Sequence, residues 1–397
     1  MKEYNLPVVP KSEYRERRER LIESCREKGL DGAIVLSRDS TIADRAGYSI
    51  YLANYQTKFF SGFFDFPPYW AWRGHSGVIV PCEEEAVLIK DLPLRNEIPL
   101  IKDKIPSFLA DRGSLAIDDI RYDYNMVRGV TRLLREKGLY KGKVGLIGSN
   151  IISIKHFQEI QHSLPEVEWV LADDLLNKQM IIKSETELNI IRHACKAVSE
   201  VTDSAFDFAQ PGISERELAI QVAQGLADQG CELCWIRPNS SRRLELGEIY
   251  CMGLVGWCQG YIFDISRNKV IGDSPNPKQA QLLNLINEFI LRQAEELRPG
   301  RTAGEAAQFG LRYFIEEKKE FTREEFEAGI LGTFAAFGHG LGLAWERPIL
   351  REEEDMTLKP GMYMAVEVVY HKLGTGLAEA EINLEITEKG PRILTKL

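Results

Sequence analysis

The stretch Phe337-Gly-His-Gly-Leu-Gly-Leu343 places one histidine between two glycines, with a third glycine three residues further on. Glycine allows backbone dihedral angles that other residues avoid, and it lets the backbone approach a neighbouring group closely. Histidine is both a frequent metal ligand and the usual acid–base residue near neutral pH. A turn that carries a surface histidine would show the same pattern. The stretch therefore indicates a functional site only together with other residues of the chain.

Three further stretches place acidic side chains inside apolar, strand-like sequence. They carry Asp264, Glu367 and Glu381, the last in a strictly alternating run that puts Asn383 on the same strand face. A buried carboxylate is costly unless a partner or a cation neutralises it. An arginine could neutralise each one singly. Together with His339, however, the three acids form an oxygen and nitrogen ligand set suited to Mn²⁺, Fe²⁺, Co²⁺ or Zn²⁺.

Composition narrows the class of protein. The chain has 397 residues, of which 44% are hydrophobic and 27% charged, and its formal net charge is −9. This acidic balance argues against nucleic acid or an anionic membrane as a partner. The N-terminal residues are polar and no apolar run is long enough to span a bilayer, so we expect a cytoplasmic protein.

The seven cysteines do not suggest a disulfide scaffold, because an odd number in a chain of this length fits reduced thiols. Cys231, Cys234, Cys251 and Cys258 could form a thiolate metal or iron–sulfur site. The second pair is too widely spaced for the usual motifs, and the first pair would point to opposite faces of a strand. Buried structural cysteines are therefore favoured.

The first part of the chain alternates helix and strand patterns. Residues 13–28 predict a helix, and short apolar runs at 31–37, 77–80, 86–89 and 143–147 predict buried strands. Such alternation is typical of an α/β domain. We expect a connection near residues 178–184 and two domains, 1–174 and 175–397.

The second domain contains an internal repeat. Pro211-Gly-Ile-Ser-x-x-Glu217 recurs 88 residues later as Pro299-Gly-Arg-Thr-x-x-Glu305, and an amphipathic helix precedes each copy. In both copies the Ser/Thr-x-x-Glu pattern is a capping box that begins another helix. The region is therefore predicted to be a duplicated α+β half-domain.

These motifs resemble the M24 superfamily of creatinase, prolidase and methionine aminopeptidase, whose C-terminal domain has the duplicated pita-bread fold. The resemblance implies a creatinase-type N-terminal α/β domain, a homodimer and a metal site. It rests on Gly-Tyr-x-x-Asp264-x-x-Arg, on Gly-His339-Gly-Leu-Gly-Leu, on Glu367 after Pro-Gly-Met, and on Glu381 before a terminal Ile-Thr-Glu-x-Gly. The metallopeptidases of this superfamily hold two metals with two aspartates, one histidine and two glutamates.

The chain departs from this pattern at three points. Gly253 stands where the first aspartate is expected, Glu346 stands where a second histidine is expected, and no histidine occurs in residues 235–244. We therefore predict one divalent metal ion, held by Asp264, His339, Glu367 and Glu381. A metal-free site in the manner of creatinase and a two-metal site stay open. The predicted catalytic residues are His339, Glu346 and Glu381, with Glu346 or Glu381 as general base.

Substrate-binding candidates come from arginines and aromatics. Arg237, Arg243 and Arg267 could bind a substrate carboxylate, or each could pair with a buried acid. Residues 59–72 hold eight aromatics, including Trp70 and Trp72. They could form a cage for an onium or guanidinium group, although they could equally form an aromatic core or a dimer interface.

The sequence thus predicts a hydrolase that cleaves a C–N bond of a small polar or zwitterionic molecule at a single-metal site. A lyase that acts on an onium compound is a second hypothesis, because the residues around Asp264 and Glu346 are most similar to dimethylsulfoniopropionate lyases. That branch, however, relies on aspartates near the position of Gly253. An Xaa-Pro dipeptidase and a non-catalytic binding module also stay open.

Overall fold

The computed structural model describes residues 6–38, 47–56, 72, 74–91, 115–237, 240–329 and 336–397. Contacts divide the chain into two compact units: residues 9–180 form one, and residues 181–397 with the N-terminal segment up to Val8 form the other. The domain bounds predicted from sequence, 1–174 and 175–397, stay a prediction. Within the described residues, no helix combines the length and the apolar character that crossing a membrane requires.

The N-terminal unit is built around a mixed sheet with the strand order β4-β3-β2-β1-β5-β6. Its strands are β1 Gly32–Arg38, β2 His75–Pro81, β3 Val87–Lys90, β4 Asp119–Tyr122, β5 Lys141–Ile147 and β6 Glu166–Leu171. Its helices are α1 Lys11–Glu27, α2 Gly47–Ala53, α3 Met126–Glu136, α4 Ile154–Ser163 and α5 Asp173–Ile181. The four apolar runs are β1, β2, β3 and β5, and the first helix lies where predicted. β2 and β3 are buried along their whole length, as expected of strands covered on both faces.

The C-terminal unit holds a larger sheet with the order β11-β10-β12-β13-β9-β8-β7, in which β14 also pairs with β13. Its strands are β7 Glu232–Arg237, β8 Ile249–Cys258, β9 Tyr261–Val270, β10 Gly338–Leu341, β11 Trp345–Ile349, β12 Tyr363–Lys372, β13 Gly376–Thr387 and β14 Gly390–Ile393. Its helices are α6 Glu185–Phe208, α7 Glu215–Asp228, α8 Pro277–Glu296, α9 Ala303–Leu311 and α10 Arg323–Glu327, and a π-helix covers Arg312–Glu317.

The predicted duplication is confirmed by equivalent hydrogen bonds in the two halves. Ser214 and Thr302 each cap a helix through a complete capping box. The amide of Gly212 donates to the carbonyl oxygen of Leu244 at 2.9 Å. In the second half, the amide of Gly300 donates to the carbonyl oxygen of Leu358, also at 2.9 Å. The two glycines have φ of +90° and +89°. The same turn is therefore built twice, because the same short motif specifies it.

Aromatic packing positions the beginning of β10. Phe337 is 2% exposed and contacts the rings of Phe289 and Phe326, each with centroids 5.3 Å away. Gly310 on α9 leaves the space for this ring, because a Cβ there would lie 2.4 Å from a ring carbon of Phe337. Burial of Phe337 stabilises the unit by about 1.5–3 kcal/mol and holds the strand that carries His339.

Candidate metal centre

Four strands bring the predicted ligands together. His339 lies on β10, Asp264 on β9, Glu367 on β12 and Glu381 on β13. Glu367 is opposite Glu381, and Glu381 is opposite Ser266, which is two residues from Asp264 on β9. Residues opposite each other or two apart on a strand share a sheet face, so all three carboxylates point to the same side.

The distances fit a single cation. The Nε2 atom of His339 lies 4.0 Å from Oδ2 of Asp264, 3.9 Å from Oε1 of Glu367 and 3.9 Å from Oε1 of Glu381. Metal–ligand bonds of about 2.1 Å leave two ligand atoms at most about 4.2 Å apart. Ligand atoms of Asp264, His339 and Glu381 all lie within 4.8 Å of one another. A divalent cation can therefore contact this nitrogen and these oxygens together.

Two carboxylate oxygens in the cluster are unsatisfied within the described part of the chain. Oε1 of Glu367 and Oε1 of Glu381 are buried and have no hydrogen-bond partner among the described residues. The Nδ1 atom of His339 lies 3.2 Å from the carbonyl oxygen of Gly340. Donation from Nδ1 to that carbonyl leaves Nε2 unprotonated and free to bind a cation, as is usual for ligating histidines. The donor set and its unsatisfied oxygens therefore fit one metal ion.

Burial controls the protonation of the cluster. It raises the pKa of Asp264, raises that of Glu367 to about 8, raises that of Glu381 well above its ordinary value, and lowers that of His339. Mutual repulsion of the carboxylates adds to the rise for Glu367 and Glu381. Without a cation burial therefore favours the protonated form of these carboxyls, whereas a bound cation would favour the charged form.

Asn383 holds the backbone of Asp264 in place. Its Oδ1 accepts a hydrogen bond from the amide of Asp264 at 3.1 Å, and its Nδ2 donates to the Asp264 carbonyl. The hydroxyl of Tyr363 also donates to Oδ1, at 2.8 Å. In the sequence, the only sign that Asn383 supports the cluster is its position on the same strand face as Glu381. Sequence reasoning therefore missed it as a site residue.

Trp345 is a second contact that sequence reasoning missed. Its indole Nε1 donates to Oδ2 of Asp264 at 3.0 Å, although the residue is 42% exposed. The side chain of Glu346, its neighbour on β11, is only 9% exposed and forms an ion pair with Lys183. Since adjacent strand residues point to opposite faces, β11 presents Trp345 rather than Glu346 to the cluster. The general-base role of Glu346 stays a prediction.

The three arginines lie in different surroundings. Arg237 forms an ion pair with the buried Glu379. Arg267 binds Asp203 of α6 at 2.8 Å, and its odd separation from Asp264 along β9 places it on the opposite face. Arg243 donates to the carbonyl of Gly212. Of the three, the structure therefore brings Arg237 to the face of the sheet that carries the cluster.

The two tryptophans of the aromatic stretch were predicted to bind substrate. Trp70 lies outside the described residues. Trp72 is 2% exposed and belongs to the core of the N-terminal unit, where its ring lies 5.0 Å from that of His75. A substrate-binding role for these tryptophans stays a prediction.

All seven cysteines are free thiols. Cys231 and Cys258 bring their sulfur atoms close to a ring nitrogen of His193. Their thiols donate to the carbonyls of Gln229 and Gly230 at 3.9 and 3.7 Å. Cys251 is separate from this group and donates to Glu379. The four cysteines therefore do not form one cluster.

Comparisons with known proteins match both units. The sequence model of the family described as Metallopeptidase family M24 matches residues 189–388, and the Creatinase/Prolidase N-terminal domain model matches residues 17–180. The Xaa-Pro dipeptidase of Pyrococcus furiosus is 25% identical over 353 residues, which cover 81% of this chain and 88% of the relative. The Xaa-Pro dipeptidase of Pyrococcus horikoshii is 27% identical over 258 residues, 60% of this chain and 69% of the relative.

Solved structures share the fold. The Xaa-Pro dipeptidase from Bacillus anthracis superimposes with a TM-score of 0.73 at 21% identity, covering 97% of this chain and 98% of the other. The prolidase from Pyrococcus horikoshii OT3 gives a TM-score of 0.74 at 21% identity, covering 96% of this chain and 98% of the other. Both units of the chain therefore have counterparts in prolidases.

Proposed function

Because the chain belongs to metallopeptidase family M24, we propose that it hydrolyses the C–N bond of small Xaa-Pro peptides with one divalent cation. The chain has the creatinase-type N-terminal domain and the pita-bread C-terminal domain of prolidases. It is accordingly a hydrolase of the Xaa-Pro peptidase-like type.

The comparisons favour an Xaa-Pro dipeptidase among the functions considered from sequence. Hydrolysis of a C–N bond in a small polar molecule, the main prediction, is broader than the activity that the names of the relatives describe. Both Pyrococcus relatives are named as peptidases, which favours hydrolysis over the elimination reaction of a lyase.

The observation that carries the proposal is the convergence of His339 Nε2 on three carboxylate oxygens at 3.9–4.0 Å. A cation held by Asp264, His339, Glu367 and Glu381 would polarise the scissile carbonyl and lower the pKa of a water molecule. The predicted cofactor, one Fe, Mn, Zn or Co ion, is part of this proposal.

The residues of the chain supply the remaining chemistry. Glu367 and Glu381 face each other on paired strands, and each has a buried Oε1 without a partner among the described residues. A carboxylate of this pair can take the proton of the attacking water at an oxygen that the cation does not bind, and pass it to the leaving nitrogen. We assign this role to Glu381. Glu346 is less suited to it, since Lys183 already neutralises its charge.

The test is release of proline from dipeptides. Protein stripped of metal and reloaded separately with Mn²⁺, Co²⁺, Zn²⁺ or Fe²⁺ is incubated with Ala-Pro, Leu-Pro and Leu-Ala, and free amino acids are quantified. We expect hydrolysis of the two Xaa-Pro substrates in preference to Leu-Ala, with at least one of the metals. Glu381→Gln should lose activity by a factor of about 100 or more, since it removes both a ligand and the proton acceptor.

Glu388→Gln is the matched control, because it makes the same change at an exposed position just beyond β13. It should retain wild-type turnover. Metal-loaded protein that releases no proline would contradict the proposal, as would equal activity of Glu381→Gln and wild type. A volatile sulfide released from an onium compound instead would point to the lyase.

Two further predictions from sequence belong to this proposal. They are a homodimer, which the resemblance to the M24 superfamily implies, and a cytoplasmic location. Analytical ultracentrifugation of the full chain tests the first, and fractionation of the source cells tests the second.

A further inference from the structure

Four neighbouring strands place Glu381, Ser266, Gly253 and Arg237 side by side across the C-terminal sheet. Glu381 on β13 is opposite Ser266 on β9, Ser266 is opposite Gly253 on β8, and Gly253 is opposite Arg237 on β7. Residues that are opposite on paired strands present their side chains to the same face. This row, Glu381 to Arg237, therefore runs from a predicted metal ligand to a guanidinium group.

The space in front of Gly253 is filled by groups of the chain itself. A Cβ atom at this position would lie 3.1 Å from Oγ of Ser266, and 3.9 Å from both Nη2 of Arg237 and Oε1 of Glu379. The sequence resemblance places an aspartate ligand here in enzymes that hold two metals. In this chain an arginine and its partner acid stand where that aspartate would extend.

Glu379 fixes the guanidinium of Arg237 at this place. Its Oε2 forms an ion pair with Nη2 of Arg237, and its Oε1 accepts a hydrogen bond from Oγ of Ser266 at 2.9 Å. The thiol of Cys251 donates to Oε2 at 3.5 Å. Glu379 is 5% exposed and lies two residues before Glu381 on β13, so it shares the face of the ligands. The positive charge of this guanidinium, paired with Glu379, is thereby held beside the cluster.

That charge acts on the ligands in the direction in which a cation would act. The guanidinium lies on the ligand face of the sheet, because Arg237 is in the same row as Glu381. A guanidinium is always protonated at ordinary pH and offers several N–H donors in a fixed plane. It can therefore neutralise carboxylates permanently, which an exchangeable metal ion does only while bound.

We propose that the guanidinium of Arg237, fixed by Glu379, takes the place of a second metal ion in this site. The inference rests on the one-cation site of the proposed function. It explains why that site binds one metal ion rather than two. The N–H groups of Arg237 that Glu379 does not use remain to donate to an anionic oxygen of the substrate. Arg237 is thus a fixed second cation. It can bind the substrate, but unlike a metal ion it cannot lower the pKa of a water molecule.

Metal counting tests the proposal without reference to activity. Wild type, Gly253→Asp, Arg237→Gln and the double variant Gly253→Asp/Arg237→Gln are saturated with Mn²⁺, freed of excess metal, and analysed by mass spectrometry. We expect one Mn²⁺ per chain in wild type and in both single variants. The double variant should hold two, because it has the added carboxylate and lacks the competing guanidinium. An exchange-coupled electron paramagnetic resonance signal should appear in the double variant alone.

Arg242→Gln is the matched control. Arg242 is as exposed as Arg237 and also neutralises a buried acid, Glu215, at 2.8 Å, but on another part of the unit. It should leave the count at one, also in combination with Gly253→Asp. Circular dichroism confirms that each variant is folded.

Two Mn²⁺ per chain in wild type, or one in the folded double variant, would overturn the proposal. Absence of metal from every protein would overturn both it and the one-cation site. Peptide hydrolysis is measured separately, so an inactive protein with the expected counts would contradict only the proposed substrate.

Discussion

The contact between Trp345 and Asp264 shows how a residue outside the predicted ligand set can act on one of its members. An indole N–H that donates to a carboxylate oxygen orients that oxygen and favours its charged form. Trp345 does both for Oδ2 of Asp264, at 3.0 Å, and it lowers the pKa of this carboxyl against the larger effect of burial. Partners of metal ligands commonly contribute to metal affinity in this way.

Trp345→Phe should weaken metal binding while keeping the aromatic ring. We expect the Kd for Mn²⁺, measured by isothermal titration calorimetry, to rise by about 10–100-fold, because Asp264 loses its donor. Trp169→Phe is the control, since the buried Nε1 of Trp169 has no hydrogen-bond partner among the described residues. Equal Kd values for both variants would show that the indole hydrogen bond does not support the metal centre.

The convergence of the four proposed ligand residues could be predicted from sequence, whereas the residues that support them could not. Asp264, Glu367 and Glu381 are acids inside apolar strands. A sequence shows such acids directly, and burying one without a partner is costly, which marks it as a candidate site residue. Trp345 and Asn383 carry no such signal, because tryptophan and asparagine occur in strands for many reasons. Which of two neighbours on β11 faces the cluster depends on the register between strands, and local sequence does not contain the register.

At the scale of the element, close packing explains why glycines flank the histidine of β10. Gly338 has φ of +144°, and a Cβ there would lie 2.2 Å from the carbonyl oxygen of Ala365 on β12. A Cβ on Gly340 would lie 2.5 Å from the carbonyl oxygen of Arg347 on β11. The two glycines thus let β10 fit between β12 and β11, and His339 is held where its ring reaches the cluster.

Gly338→Ala should therefore disturb both stability and metal binding. We expect the free energy of unfolding to fall by about 1–3 kcal/mol, since the backbone must shift or adopt a strained conformation. The Kd for Mn²⁺ should rise because His339 moves with the strand. Urea unfolding and calorimetry measure the two effects.

Gly374→Ala provides the comparison, because Gly374 also has a positive φ, +75°, but its Cβ would meet nothing within 4 Å. It should lose stability by about 1–2 kcal/mol and keep wild-type metal affinity. A Gly338→Ala protein that binds metal as tightly as Gly374→Ala would mean that close packing of β10 does not position His339.

At the scale of the whole molecule, the buried carboxylates couple folding to pH. The pKa of Glu367 is raised by burial from its ordinary value of 4.5 to about 8. Between these values the folded chain holds a proton that the unfolded chain has released. The free energy of unfolding of the metal-free protein should therefore fall as pH rises from about 5 to about 8.

Thermal unfolding of metal-free protein across this pH range measures the effect. Glu367→Gln should flatten the decline relative to wild type, because an amide does not titrate. Saturating Mn²⁺ should also reduce it in wild type, since the cation replaces the proton. Superimposable pH profiles for wild type and Glu367→Gln would contradict a raised pKa for this residue.

The overall architecture could be predicted because several independent patterns agreed. The capping boxes at Ser214 and Thr302 specify their turns locally, and their recurrence revealed the duplication. The surroundings of Arg237, Arg243 and Arg267 could not be predicted in this way. Whether an arginine meets a substrate or a buried acid depends on which distant strand or helix packs beside it, as Asp203 of α6 does for Arg267.

The row from Glu381 to Arg237 also has an evolutionary consequence. Gly253→Asp alone would add a carboxylate beside Glu379, with one guanidinium to neutralise both. Loss of Arg237 alone would leave Glu379 buried without its cation, at a cost in stability. Only the two changes together would make room for a second metal ion that could neutralise both carboxylates, so the two positions are epistatic. A row that carries a second aspartate therefore differs from this row by two coupled substitutions, at Gly253 and at Arg237.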